Sequence, residues 1–462
     1  MDAKGQQLER TLTLRGAVTL NLLDMIGVGP FITLPLLIGA MGGPQAMVGW
    51  VLGAVLAACD GMVWAELGAA MPEAGGTYAY LEQMYPGRVG RWLSFLFAFQ
   101  LLLSAPLSVA SGCIGVAAYA GAVVPGLRGH AVWVAVASVV VAVVLQYRRL
   151  SGVKRVAQGL LVIVLATIAW TVVTGLWHGE WSRVVAVPSG AFHLDGAFFA
   201  GLASAMLIAT YDYWGYYNVT FLGGEAKDPG RTIPRAVLLS IAIVAVLYLA
   251  LNASVLAVMG APELMRAQSV GARQAMLATF MQMAYAPTVG VSAAATLGKV
   301  AAVLVMVTAF GSVFSLLLGY SRIPYAAARD GNFPAVFGRL HPRGGFPYVS
   351  LLVLAGVAGV CCFFSLGQVI AALVVVRIVM QFSLQHVGVM LLRKRRPEMK
   401  RPFRMWMYPL PPIVALAGFG YIVFVRRGSA AELMLAGAVV FVGTAAFALR
   451  RRQAEARDAG VS

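Results

Sequence analysis

Three aspartates, Asp24, Asp60 and Asp212, lie within stretches of sequence that are otherwise apolar. A carboxylate inside a membrane-spanning helix is costly, so it usually faces a partner or a water-filled cavity and marks the path of an ion or a substrate. These three side chains are therefore candidates for contact with a substrate, a proton or a sodium ion. The alternative is a structural acid held by hydrogen bonds, which is our interpretation of Glu66.

The run Gly27-Val28-Gly29-Pro30 lies in the middle of the apolar stretch 20–40. Glycine loosens a helix, and proline removes an amide donor and clashes with the preceding turn, so the run predicts two half-helices. Pro30 suits the first turn of the second half, which leaves the amides of Gly27 to Gly29 at the positive end of its dipole. We expect an anion to bind there. A continuous but kinked helix is the alternative.

A second interruption is predicted within 197–222, where residues 211–218 are aromatic and polar around Gly215. If the chain enters the membrane from outside here, the carbonyl groups that end the outer half carry a negative partial charge, which suits an ammonium group. Together the two breaks describe a receptor for an α-amino acid, and paired breaks are typical of a transporter's binding site. Asp212 inside the second break would instead favour a cationic group or a proton. A continuous helix with an aromatic packing stripe is the alternative.

The elements that must hold these residues are long apolar helices. With 462 residues, 60% hydrophobic and only 11% charged, the chain is too apolar for a soluble protein. It contains segments long enough to cross a hydrocarbon core of roughly 30 Å, which predicts an all-α polytopic membrane protein. The first segment is interpreted as a retained span, not a signal peptide. The twelve predicted spans are 18–40, 46–70, 92–122, 131–147, 157–178, 197–222, 236–259, 291–319, 348–365, 368–392, 408–425 and 431–449.

The net charge of +17 follows this topology and does not indicate nucleic acid binding. With a cytoplasmic N-terminus, 27 of the 35 Lys and Arg residues fall in cytoplasmic segments, 6 fall outside, and 2, Lys299 and Arg377, fall within spans. This positive-inside pattern predicts that both termini are cytoplasmic, in a cell membrane whose anionic lipids contact the basic loops. A lone arginine in a span needs a partner, and Asp24 or Asp60 is the candidate for Arg377.

Sequence motifs extend over most of the chain. Residues 27–32 read GVGPFI, 64–81 read WAELGAAMPEAGGTYAYL, 224–236 read GEAKDPGRTIPRA, and 393–403 read RKRRPEMKRPF. In this order they resemble the glycine-rich first helix, the end of the second helix and the cytoplasmic loops of the amino acid, polyamine and organocation (APC) superfamily of permeases. The resemblance covers about residues 15–425. It is to the amino acid permease, L-type amino acid transporter-like and polyamine transporter branches.

The resemblance implies a 5+5 inverted repeat of helices in which helices 1 and 6 are discontinuous, followed by two peripheral helices. It implies a secondary active transporter, not an enzyme, that moves amino acids by alternating access. The substrate-binding candidates are Gly27, Val28, Gly29, Tyr211, Asp212 and Trp214, and the coupling candidates are Asp24, Asp60 and Asp212. The predicted regions are 1–17 (cytoplasmic), 18–195 (first repeat), 196–400 (second repeat), 401–450 (spans 11 and 12) and 451–462 (cytoplasmic).

Two departures from the family pattern bear on the substrate. Tyr211, Asp212 and Trp214 fall where the family commonly has an aromatic gate residue, a small residue and a glycine. The acid at Asp212 is more similar to the polyamine-transporting branch, so transport of a polyamine or another cationic amine is the alternative function. Leu165 stands where many members have a lysine, which shifts attention to the three aspartates for coupling.

Other classes of function are weaker interpretations. A sensor or partner subunit with the same fold would be expected to carry a signalling domain or a long tail. A membrane enzyme would need a constellation of catalytic side chains, whereas the five histidines are scattered. The four cysteines lack the spacing of metal ligands. The sequence therefore indicates no cofactor, metal or catalytic residue.

Overall fold

The computed structural model describes residues 10–147, 150–267, 273, 276–364, 375–426 and 430–459, and the regular structure of these residues is helical. The helices are α1 (Leu14–Met25), α2 (Leu34–Met41), α3 (Met47–Ala70), α4 (Thr77–Met84), α5 (Gly87–Val123), α6 (Ala131–Gln146), α7 (Leu150–His178), α8 (Ser182–Val185), α9 (Gly196–Tyr213), α10 (Asn218–Phe221), α11 (Pro229–Arg266), α12 (Met276–Val289), α13 (Val291–Tyr320), α14 (Arg322–Arg329), α15 (Tyr348–Cys361), α16 (Val375–Arg395), α17 (Leu410–Val425) and α18 (Ala430–Ala459).

Twelve spans can be assembled from these helices. Among the described residues, eight helices are long and apolar enough to cross a membrane, namely those that contain α3, α5, α6, α7, α11, α13, α16 and α18. The pair α1 and α2 forms one more span, bent by 59° at its break. The shorter apolar helices α15 and α17, and the broken pair α9 and α10, complete the set. The prediction of an all-α polytopic membrane protein is confirmed.

The first break follows from the residues at its centre. Between α1 and α2, residues 29–31 form a single 3-10 turn. Pro30 lies in that turn, where the loss of its amide leaves no helical bond unmade. The Tyr119 hydroxyl of α5 donates to the carbonyl oxygen of Phe31 at 3.2 Å, so a neighbouring helix satisfies a carbonyl group that the break frees. The prediction of two half-helices is correct, and the continuous helix is wrong.

The second break separates α9 from α10 and is held by a side chain of the first span. Trp214 is extended, with φ −61° and ψ 148°, and Gly215 has φ 125°, a value that favours glycine. The side-chain amide of Asn21 donates to the carbonyl oxygen of Tyr216 at 2.7 Å and accepts from the amide of Val219 at 3.0 Å. One asparagine thus satisfies two backbone groups that would otherwise be unpaired in an apolar environment.

The two breaks cross in direct contact. A Cβ atom on Gly215 would lie 2.6 Å from the amide nitrogen of Met25 and 2.8 Å from the carbonyl carbon of Asp24, so only glycine fits. The Tyr248 hydroxyl of α11 donates to the Met25 carbonyl oxygen at 2.5 Å and lies 3.3 Å from that of Asp212. A displacement of one break therefore moves the other.

Glu66 is a structural acid, in agreement with its interpretation from the sequence. It is 1% exposed, and its Oε1 accepts from Arg393 at 2.8 Å. Its Oε2 accepts from the Met405 amide at 2.8 Å, and Arg401 Nε lies 3.5 Å from Oε1. These contacts join α3 to the end of α16 and to the basic segment that follows it.

The observed helices differ from the predicted spans mainly at their ends. Helix α11 runs past the predicted end of its span, through a kink at Gly260 where φ is 74°. The segment after it contains α12. Helix α18 continues to Ala459. The predicted end of span 9 and start of span 10 (residues 365 and 368–374), Arg427 and the first nine residues lie outside the described part of the chain.

Candidate functional site

A small cavity lies where the two breaks cross, with a volume of about 60 Å³. Such a volume accommodates a few water molecules. All six predicted substrate-binding residues and Asp24 line it, whereas Asp60 does not. The lining residues are Asp24, Met25, Gly27, Val28, Gly29, Ser108, Ser111, Gly112, Tyr211, Asp212, Trp214, Gly215, Tyr217, Ser312, Leu316, Tyr320 and Arg377.

Two residues of the first break that line this cavity have free backbone amides. The Gly27 amide donates to the carbonyl oxygen of Met25 at 3.1 Å. In contrast, the amides of Val28 and Gly29 make no hydrogen bond to any residue that the structure describes. They precede the 3-10 turn and α2, so the dipole of the second half-helix adds positive charge at this place. The two amides together can bind a carboxylate.

Asp212 closes one side of the first break. It is 3% exposed, and a Cβ atom on Gly29 would lie 1.9 Å from its Oδ1. The Thr33 hydroxyl oxygen lies 2.5 Å from Asp212 Oδ2 and 2.9 Å from the Gly29 carbonyl oxygen. Since a hydroxyl has one proton, Thr33 cannot donate fully to both oxygens; if Asp212 is protonated, it donates to Thr33, which then donates to Gly29. This geometry fits a neutral Asp212.

Asp24 is a second acid at the cavity. It lies in the last turn of α1 and is 8% exposed. Its Oδ2 is buried and has no hydrogen-bond partner among the residues that the structure describes. A buried oxygen without a partner is costly unless a ligand or water supplies a donor. Asp24 can therefore accept from an ammonium group in the cavity.

Arg377 is the lining residue whose role the sequence did not reveal. It is 3% exposed and lies on α16, directly before the π turn Ile378–Phe382. Its guanidinium donates to Ser108 Oγ at 2.9 Å and to the Tyr217 hydroxyl at 3.3 Å. No carboxylate oxygen in the described ranges lies within 4.0 Å of it, so neither predicted acid partner forms a direct ion pair with it, although the opposite charges of Asp24 and Arg377 attract each other.

The charge of Arg377 is instead held by aromatic rings. Its guanidinium carbon lies 5.2 Å from the ring centre of Tyr320 and 5.9 Å from that of Trp214. Contacts of this kind attract a cation by the quadrupole of the ring. The buried Nε of Arg377 has no partner among the described residues. The lining of the cavity thus includes a positively charged side chain, Arg377, whose Nε is a donor without a partner among the described residues.

Aromatic side chains form the walls of the cavity. Trp214 stacks on Phe382 with a centroid distance of 4.9 Å, and the Tyr211 hydroxyl lies 3.4 Å from Ser111 Oγ. Both were predicted from the unusual density of aromatic residues in this span. The serines of α5, Ser108 and Ser111, carry no sequence signal that separates them from ordinary small residues of a membrane helix.

Asp60 lies elsewhere, at a buried pair between α3 and α16. Its Oδ1 is 3.1 Å from His386 Nε2, and both side chains are completely buried. Its Oδ2 accepts from Trp64 Nε1 at 3.1 Å and from the Tyr216 hydroxyl. Of the three coupling candidates, Asp24 and Asp212 therefore share the cavity, and Asp60 contacts the second break from the other side.

Comparison with known proteins is consistent with these features. The model of a family described as amino acid permease matches residues 12–445. The serine/threonine exchanger SteT of Bacillus subtilis is 25% identical over 468 residues, which cover 98% of this chain and 100% of the relative. The methylthioribose transporter of Bacillus subtilis is 25% identical, over 89% of this chain and 87% of the relative. The human Asc-type amino acid transporter 1 is 25% identical, over 86% of this chain and 74% of the relative.

Proposed function

The chain belongs to the amino acid permease family, whose model matches residues 12–445, and we propose that it is a secondary active transporter of small amino acids across the cell membrane. The family and the relatives are transporters, not enzymes. Transport would proceed by alternating access, with the predicted repeats 18–195 and 196–400 moving around the crossed breaks. Both termini would be cytoplasmic, as the positive-inside pattern predicts.

One observation carries the proposal: free amides and an unpartnered carboxylate oxygen line the same cavity. The substrate carboxylate would accept from the amides of Val28 and Gly29, in the way that anions bind at helix N-termini. Its ammonium would donate to Asp24 Oδ2 and to the carbonyl groups at the end of α9. The Nε of Arg377 would supply a further donor to a carboxylate or to a polar side chain.

The walls of the cavity favour a small substrate. Trp214 and Tyr211 occupy space that a large side chain would need, and the volume is about 60 Å³. SteT is named as a serine/threonine exchanger and Asc-type transporter 1 as an amino acid transporter. Serine, threonine and alanine are accordingly the first amino acids to examine.

A polyamine remains the second candidate, because two carboxylates, Asp24 and Asp212, line the cavity. Two observations rank it lower. The buried guanidinium of Arg377 would repel a polycation, and the contact of Asp212 with Thr33 fits a neutral acid. A coupling ion, proton or sodium, is part of the proposal for either substrate.

The test is a thermal-shift screen of the purified protein in detergent against the proteinogenic amino acids, putrescine and spermidine. A ligand that binds only the folded state stabilises it by about 2.7 kcal/mol at one hundred times its Kd, so binding raises the melting temperature. We expect stabilisation by serine, threonine or alanine. Exchange of labelled for unlabelled serine in proteoliposomes then tests transport.

The variant Arg377→Gln makes the screen more specific. It removes a buried cation and a donor, and hydrogen bonds to charged groups contribute about 1.5–3 kcal/mol, so affinity for an amino acid should fall by roughly ten- to hundredfold. Arg183→Gln, which alters an exposed ion pair with Glu180, is the control. Stabilisation by putrescine or spermidine alone, enhanced in Arg377→Gln, would reverse the ranking of the two candidates.

A further inference from the structure

The pair Asp60 and His386 has an arrangement that the proposed binding of an amino acid does not use. Both side chains are completely buried. Their closest atoms, Asp60 Oδ1 and His386 Nε2, are 3.1 Å apart. Neither Nε2 nor Oδ1 makes a hydrogen bond among the described residues. Neither residue lines the cavity.

The position of one proton on His386 follows from the backbone. His386 Nδ1 lies 2.6 Å from the carbonyl oxygen of Phe382, four residues earlier on α16. A carbonyl oxygen can only accept, so Nδ1 must carry a hydrogen. In a neutral imidazole, Nε2 then has no proton, and it lies 3.1 Å from an oxygen of Asp60.

The pair therefore holds one further proton. Two lone pairs in contact repel each other, and here no water compensates, because both groups are buried. An approach of 3.1 Å between them is favourable only when the pair carries a further proton, on the imidazole or on the carboxyl group. The pair is then either an imidazolium with a carboxylate or an imidazole with a carboxylic acid, and the total number of bound protons is the same.

We propose that Asp60 and His386 form a proton-binding site that couples proton movement to transport by this protein. The inference rests on the proposed transport function and adds to it the ion and its place. The reaction is reversible binding of one proton by the pair, which releases it to the aqueous side that the site reaches in the other conformation. No bond other than that to the proton is formed or broken.

The second break connects this site to the cavity. Tyr216, whose hydroxyl donates to Asp60 Oδ2, lies in the break between Gly215 and Tyr217, and both of these neighbours line the cavity. Trp64, the other donor to Asp60, stacks on the Tyr217 ring with a centroid distance of 4.8 Å. Loss of the proton would separate α3 from α16 at the pair and displace the break that forms the cavity wall.

The groups nearest the pair are uncharged side chains, and Arg377 approaches it only through Tyr217, to whose hydroxyl it donates at 3.3 Å. The titratable groups that face Asp60 are the hydroxyls of Tyr216 and Tyr217, the Cys59 thiol and His386 itself. Phe419 of α17 covers the imidazole, with ring centres 5.8 Å apart. In the described part of the chain, no lysine or arginine nitrogen lies within 4.0 Å of Asp60. The proton of the pair is therefore not replaced by a neighbouring cation.

Asp60→Asn and His386→Gln test the proposal in proteoliposomes with labelled L-serine. An asparagine amide can donate to Nε2 permanently, and its oxygen can still accept from Trp64 and Tyr216, so this variant should fold and mimic the protonated pair. Two assays are compared: serine exchange at equal pH on both sides, and serine accumulation in vesicles that are neutral inside and acidic outside. A pH dye inside the vesicles reports proton entry. His193→Gln, in the exposed pair with Asp195, is the matched control.

We expect the wild type and His193→Gln to accumulate serine only with the acidic exterior, with proton entry. Asp60→Asn should retain serine exchange and lose both acid-driven accumulation and serine-dependent proton entry. His386→Gln should lose them too. Acid-driven accumulation by Asp60→Asn at the wild-type rate would overturn the proposal, as would serine exchange without any acid-driven accumulation by the wild type.

A second measurement does not depend on transport. If a proton joins the pair, Asp60→Asn keeps a donor towards His386 Nε2, whereas Asp60→Leu leaves Nε2 buried without one. The melting temperature of Asp60→Asn should therefore lie closer to that of the wild type than the melting temperature of Asp60→Leu. An equal decrease in the two variants would overturn the proton site, whereas absence of serine exchange with this order of melting temperatures would instead contradict the proposed substrate.

Discussion

The two breaks differ in whether the protein satisfies the backbone groups that lose their helical hydrogen bonds. In the first break, the amides of Val28 and Gly29 make no hydrogen bond to the described protein, and both residues line the cavity. In the second, the side chain of Asn21 satisfies one amide and one carbonyl group. Unpaired backbone groups at membrane depth cost several kcal/mol each. The first break is therefore open to a ligand, and the second is held in place by the protein.

Under the proposed function, this difference would let a small ligand move large elements. The open break would gain hydrogen bonds from a bound substrate, whereas the held break can only exchange its bonds for others. Because Gly215 packs against the backbone of Asp24 and Met25, the two breaks cannot move independently. Binding at the first break would thus be transmitted to the second, which also carries the Tyr216 contact with Asp60.

The largest effect is expected from closing the open break with Gly29→Val. Its Cβ would lie 1.9 Å from Asp212 Oδ1, the mobile end of a side chain, so Asp212 can rotate away and the fold should survive. Overpacking of this kind costs about 1–3 kcal/mol. The valine side chain would occupy the approach to the amides, and stabilisation of the protein by serine should be lost completely.

Gly356→Ala is the control for this prediction. Gly356 lies on α15, where an added Cβ atom would meet nothing within 4 Å. It should bind serine like the wild type. If Gly29→Val binds serine with unchanged affinity, the first break is not the place where the carboxylate binds.

The next largest effect is expected from releasing the held break with Asn21→Ala. This change leaves the carbonyl of Tyr216 and the amide of Val219 buried without their partners, at a cost of about 1–3 kcal/mol for each group. Chemical denaturation or melting in detergent measures the loss of stability. The serine affinity should fall less than in Gly29→Val, because the free amides of the first break are retained.

Asn252→Ala provides the comparison for Asn21→Ala. Both asparagines are completely buried. The Asn252 side chain donates only to the carbonyl oxygen of Tyr248 within the same helix, and its own oxygen has no partner in the described residues. Equal destabilisation by the two variants would mean that Asn21 does not hold the second break.

The breaks themselves could be predicted because their cause is local. Gly27, Gly29 and Pro30 disfavour a continuous helix wherever the chain places them, and a polar aromatic run around Gly215 is abnormal in a lipid-facing span. The resemblance to the permease family predicted in addition that the two breaks occupy equivalent positions in the two repeats. Consequently six of six predicted binding residues line one cavity, although binding itself stays a proposal.

The contacts of Arg377 and His386 could not be predicted, because they depend on positions far apart in the sequence. The sequence offered Asp24 or Asp60 as partners of Arg377, but the guanidinium contacts a serine and aromatic residues. Asp60 is paired instead with His386, 326 residues away and on the same helix as Arg377. The π turn between the two residues changes the helical register in a way that periodicity alone does not reveal.

The smallest effect is expected from Asp212→Asn, which tests the contact between the two breaks. If Asp212 is neutral and donates to Thr33, an asparagine amide can donate in its place, and Thr33 can still donate to the Gly29 carbonyl. The melting temperature and serine affinity should then stay close to those of the wild type. Asp212→Ala removes the donor and should lower both. If Asp212→Asn lowers the melting temperature and the serine affinity as much as Asp212→Ala does, Asp212 is ionised. The contact between the two breaks then depends on the negative charge of Asp212 and not on its proton.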